Sequence, residues 1–140
     1  MLMRQRLKTT KPRTGTAAVE FAVLLPLLCV LFVIAIDFAR VFYFSIAVTN
    51  CARNGAIYGG QNPTTANDKS GIAAAANKDG GNLDAQQLTV TSSTDSTTNP
   101  TYVIVTVTYP FSTITDFPGI TSTMYLSRSI RMTVTPLTVS

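Results

Sequence analysis

FAVLLPLLCVLFVIAI, residues 21–36, is a run of sixteen residues without a charge. Ala17, Ala18 and Val19 extend it backwards, with Glu20 as the one interruption. A hydrocarbon core about 30 Å thick needs roughly 20 apolar residues of helix, and residues 17–36 meet that length. Pro26 lies inside the run. It would end most soluble helices. In a membrane helix the freed carbonyl finds other donors, so a kinked but continuous helix is expected.

The flank gives the direction. Residues 1–16 hold Arg4, Arg6, Lys8, Lys11 and Arg13 and no acid, whereas the rest of the chain has seven acids against six bases. The net charge of +4 therefore belongs to a short tail. Its place directly before an apolar run marks a targeting flank and not a nucleic-acid-binding arm. Positive flanks stay inside. The sequence thus predicts a single-pass protein with a cytoplasmic N-terminus and everything after Ile36 outside. An ordinary cleaved signal peptide needs a small-x-small exit and a polar mature start. Here the chain runs straight on into Asp37-Phe38-Ala39-Arg40.

From Asp37 to Tyr58 there is no proline. Val41, Phe44, Val48, Cys51, Gly55 and Tyr58 fall at alternating spacings of three and four, which makes an apolar helical stripe. One helix is expected from Thr16 to Tyr58, about 65 Å long at 1.5 Å per residue, stopped by Gly59-Gly60. Residues 59–70 read as loop, and Ile72 to Lys78 as a short alanine-rich helix. The period then changes to two. Leu88 to Thr91 alternates. Tyr102 to Tyr109 puts Val103, Val105, Val107 and Tyr109 on one face, and Met124 to Val134 puts Leu126, Ile130, Met132 and Val134 on one face. Arg128 interrupts that last face, which suits an edge or bent strand. Pro110 and Pro118 bracket the connection between these two strands. The fold class is α+β: a long membrane-spanning helix whose amphipathic continuation packs on a small antiparallel sheet of about three strands. The expected divisions are 1–15, a basic leader; 16–36, the span; 37–60, the amphipathic extension; and 61–140, an extracytoplasmic β-rich domain.

Catalytic and metal chemistry find little support. There is no histidine, so Ser-His-Asp and Cys-His arrangements are excluded. No phosphate-binding glycine loop and no GxSxG occur. Asp68, Asp79, Asp84, Asp95 and Asp116 are scattered in turn-like contexts. Cys29 and Cys51 are 22 residues apart. On one helix that is about 33 Å, too far for a bridge, so both read as apolar packing. A non-enzymatic protein without metal or cofactor is expected.

Glu20 is the expensive residue. A carboxylate near a membrane helix end costs about 1–3 kcal/mol, and more toward the centre. From the residues alone two readings stand. Glu20 rests at the interface, favoured by the positive helix N-terminus, or it awaits a partner charge.

Gly15 followed by TAAVEF resembles a type IV prepilin processing site: a basic leader, a glycine before the cut, and a glutamate at the fifth position afterwards. More narrowly, "GTAAVEFAVLLPLL", "DFARVFY" and "TNCARNGAIY" resemble the TadE-like pseudopilins of the tight-adherence (Flp) pilus system. The resemblance is close over residues 13–58 and pattern-like over 87–135. Cys51 stands where the family tends to have alanine, and Asn54 where it tends to have glutamate. The resemblance implies cleavage between Gly15 and Thr16 by a prepilin peptidase and life in the inner membrane or in the pilus as a minor subunit. It implies a role in assembling an adherence and biofilm pilus. The implied partners are other pseudopilins, the major Flp pilin, an inner-membrane assembly platform and membrane lipid, with no nucleic acid. Under that reading, Glu20 pairs with the amino terminus of a neighbouring subunit and sets register. The competing class is an uncleaved, membrane-anchored binding domain.

Overall fold

A computed structural model describes residues 14–81, 83–114 and 123–136. The leader charges Arg4, Arg6, Lys8, Lys11 and Arg13, and also Asp116 and Pro118, lie outside the described residues. The elements run α1 (Thr14–Gly59), α2 (Pro63–Asn67), α3 (Lys69–Lys78), β1 (Thr89–Asp95), β2 (Tyr102–Ser112) and β3 (Thr123–Thr133). The boundary between two structural units falls between Ala35 and Ile36.

In the first unit α1 continues through Pro26. Its described side chains from Gly15 to Phe32 are all exposed. Such a surface of Val, Leu and Phe is stable in hydrocarbon and costly in water. The helix is long and apolar enough to cross a membrane, and the protein is read as single-pass on that ground.

In the second unit the rest of α1 turns one face to the sheet. Val48, Cys51, Ala52, Gly55, Ala56 and Gly59 are buried, and Phe44 and Tyr58 pack at the margin. This is the stripe that the three-four spacing predicts. The sheet is antiparallel in the order β1-β2-β3. Val103, Val105, Val107, Tyr109 and Phe111 alternate inward from β2 and are buried. The central strand thus carries the core, because it alone has neighbours on both sides. Phe44 stacks on Tyr109 at 5.7 Å between centroids and meets Phe111 at 5.4 Å.

Several boundaries differ from the expected ones, among them the start of α3, which is Lys69 and not Ile72. The predicted loop 59–70 contains α2, because Asn62 caps it by accepting from the Thr64 and Thr65 N–H groups, each at 2.9 Å. Thr65 Oγ1 accepts from the Asn62 N–H in return, and Pro63 opens the helix. β1 runs on to Asp95 because β2 is long enough to pair with it, Asp95 facing Tyr102. β2 passes through Pro110 and ends at Ser112, with Pro110 opposite Tyr125 of β3. Arg128 breaks the inward face of β3, as expected, and its Nη2 donates to Ser45 Oγ on α1 at 2.8 Å. Among the described residues β3 is an edge of the sheet.

Candidate functional site

The residues singled out at the N-terminus lie on one surface helix. Gly15, Thr16 and Glu20 all belong to the first turns of α1 and are exposed. Gly15 is not a turn residue here, since it lies inside the helix, and Gly81 is the one glycine with a positive φ among the described residues. A Cβ added at Gly15 would meet no atom within 4 Å. The contrast with the core glycines is direct. A Cβ at Gly55 would lie 3.1 Å from Val105 Cγ1 and 3.3 Å from the Ile72 carbonyl oxygen. A Cβ at Gly59 would lie 3.1 Å from Val103 Cγ2. Glycine in a helix interior costs about 1 kcal/mol against alanine, a cost that applies to Gly55 and not to Gly15, the second residue of α1. At Gly55 and Gly59 close packing explains the glycine; at Gly15 no packing among the described residues does.

Residues 15–56 match the family model described as TadE-like protein. This segment is similar to the TadE-like family. The match starts at Gly15 and ends three residues short of the end of α1, so the sheet lies outside it. No curated protein matches the chain. No solved structure matches it.

The TadE-like segment contains a carboxylate, Asp37, whose partners the sequence does not show. Asp37 is 7% exposed. Its Oδ1 accepts from Arg40 Nη1 at 3.1 Å and from the Ile114 backbone N–H at 3.1 Å. Arg40 also lies over the Phe111 ring, 5.0 Å from its centroid. The Asp37–Arg40 spacing of three was legible as a helical pair. The bond to Ile114 was not.

At the far end of α1, downstream of the TadE-like segment, Tyr58 donates its hydroxyl to Asp68 Oδ2 at 2.9 Å. Asp68 caps α3, accepting from Ser70 Oγ at 2.6 Å and from the Gly71 N–H at 2.9 Å. Ser70, then Gly71, then Tyr58 hold its carboxyl below the usual carboxylate range. The same bond from the other side pushes the Tyr58 hydroxyl up, since the proton it donates is held by an anion. Asn54, where the family tends to have glutamate, donates to Asp79 from α1 to the end of α3. Asp95 accepts from Thr97, first through its hydroxyl and then its N–H, and is held low for that reason. The turn chemistry expected of the aspartates is therefore present at Asp68, Asp84 and Asp95, while Asp79 accepts from Asn54 on α1 instead. These bonds fasten the second unit; none converges on a reaction centre.

A cleft of about 400 Å³ is lined by residues that include Asn67, Thr94, Ser96, Asn99 and Thr101 with Pro63 and Pro100. Its lining has hydroxyls, amides and apolar groups and no acid, base or thiol, so it offers no group for proton transfer at neutral pH. Among the described residues no cluster of three or more His, Cys, Asp or Glu is placed to hold a metal.

Proposed function

We propose that this protein is a TadE-like minor pilin or pseudopilin, associated with a tight-adherence pilus and processed after Gly15. It works by assembly and not by catalysis. The observation that carries this reading is Gly15. It stands first in the TadE-like match, at the head of an apolar helix, with no packing reason among the described residues for being glycine. A residue unexplained by its own fold is well explained by an outside reader, here a prepilin peptidase that needs a small residue before the bond it cuts.

Cleavage creates an α-amino group at Thr16, one helical turn before Glu20. In an assembly of such helices the Glu20 carboxylate of one subunit pairs with that amino group on the next. The pairing offsets the cost of a carboxylate in lipid only on assembly, so it favours one axial register. The span then sits in the inner membrane with its N-terminus cytoplasmic, and the sheet faces outward.

N-terminal sequencing or intact mass of the protein from its native membrane tests this. A mature chain beginning at Thr16 is expected. A chain that keeps Met1 to Gly15 in cells with an active prepilin peptidase overturns the reading in favour of an uncleaved anchored domain.

A further inference from the structure

We infer that the base of the second unit, an aromatic and aliphatic rim around the buried Asp37, is seated in the headgroup layer of the membrane. This rests on reading residues 16–36 as the span.

The rim comes from two parts of the chain. On α1, Phe38 and Phe42 are 62% and 66% exposed and Tyr43 is 54% exposed. They lie off the stripe that faces the sheet. From the end of β2 comes Ile114, 65% exposed. Its N–H is held by Asp37 Oδ1, so Ile114 sits at the level of the first residue after the span. A soluble surface gains nothing from this set: Tyr43 meets Phe44 edge-to-face at 5.8 Å, yet it, Phe38, Phe42 and Ile114 stay exposed among the described residues.

The depth follows from helix geometry. The hydrocarbon core is about 30 Å thick and the whole bilayer about 40–45 Å, which leaves roughly 5–8 Å of headgroup layer on each side. A rise of 1.5 Å per residue puts the Cα of Phe38 about 3 Å, Phe42 about 9 Å and Tyr43 about 10 Å along the helix from Ile36, the end of the span, and at any tilt none stands farther than that from the hydrocarbon edge. Side chains on a helix lean toward its N-terminus. The rings of Phe42 and Tyr43 therefore lean back into the layer. Aromatic rings, Tyr above all, suit that layer because one end is apolar and the other wet. Arg40 is at the same height but occupied by Asp37 and the Phe111 ring. The seat is thus made by apolar and aromatic contact more than by phosphate binding. The occupant is lipid and not a second protein because the covalent tether brings the rim to the bilayer whether or not a partner arrives.

The chain has no tryptophan, so single-tryptophan variants report cleanly. The full chain is reconstituted in vesicles of phosphatidylcholine and phosphatidylglycerol carrying a nitroxide either on the headgroup or deep in the acyl chain. Leu28→Trp marks the span, Phe42→Trp the rim, and Ile57→Trp an exposed position about 22 Å further along the helix. Tyr43→Trp repeats the rim measurement independently. Leu28→Trp is expected to be quenched best by the acyl label. Phe42→Trp and Tyr43→Trp are expected to be quenched by the headgroup label several-fold more than Ile57→Trp, which instead answers to aqueous iodide. If Leu28→Trp is lipid-quenched while both rim variants behave like Ile57→Trp, the seating is overturned and the anchor stands. Rim variants shielded from lipid and iodide alike also overturn it, by pointing to a protein cover. Failure of Leu28→Trp to be lipid-quenched overturns the anchor and the seating together.

Discussion

The carboxylate of Asp37 and the backbone N–H of Ile114 are 77 residues apart in sequence and 3.1 Å apart in space. The bond joins the first residue after the apolar run to the end of the central strand. Asp37 is buried and also pairs with Arg40. Asp37→Ala leaves the Ile114 donor and the Arg40 guanidinium short of a partner. A loss of about 1–3 kcal/mol is expected, the usual penalty for orphaning a buried polar partner. Asp37→Asn keeps an acceptor and loses less. Denaturant unfolding of the full chain in detergent, followed by far-UV circular dichroism, measures both.

Gly55 sets how closely α1 approaches β2 and α3. A side chain there meets Val105 on one side and the Ile72 carbonyl on the other. Gly55→Val overpacks this contact and is expected to destabilise the second unit by about 1–3 kcal/mol. Gly15→Ala, with open space around it, is expected to leave the unfolding midpoint unchanged. Equal effects at the two positions in the same unfolding assay contradict this distinction.

Asp68 makes the stability of the second unit pH-dependent. Ser70, Gly71 and Tyr58 all donate to its ionised form, which lowers its native pKa relative to the unfolded chain. Its contribution is whole above about pH 4, where the unfolded carboxylate is ionised, and is lost as pH falls through the lowered native value. Tyr58 has the opposite sign. Its raised pKa means that its contribution holds below about pH 10 and is lost as pH rises through the native value. Asp68→Asn is expected to flatten the acid limb of the thermal midpoint plotted against pH, and Tyr58→Phe the alkaline limb. An acid limb identical in wild type and Asp68→Asn contradicts the assignment.

Processing and assembly separate at Gly15 and Glu20. Gly15→Leu is expected to block cleavage, giving a band heavier by the leader on an immunoblot of native membranes. Glu20→Ala is expected to be cleaved normally yet to assemble poorly, scored by pilus counts in electron micrographs. Normal piliation of Glu20→Ala removes the register role while leaving cleavage in place.

Much of this protein is readable in one dimension. The charge-free run 21–36, the three-four stripe from Val41 to Tyr58, and the period-two valines of β2 each report a face that needs an apolar partner. Such signals are local and repeat along the chain, so helix, sheet and anchor are visible from sequence. So is Gly15 with Glu20 five positions on, because both lie in one short local stretch. The limits of β1 and β2 were not readable, since each strand ends where its neighbour stops pairing. Nor was the task of Asp37. In sequence it is an acid that interrupts an apolar helix; in the fold it is a buried acceptor for a strand end. Gly55 and Gly59 read as a member of the apolar stripe and a helix stop, and became points of close approach between layers. Composition and periodicity determine which surfaces must be covered. Only the tertiary structure decides what covers them, because the pairings of Asp37 with Ile114, Gly55 with Val105 and Ser45 with Arg128 join residues whose separation along the chain carries no pattern.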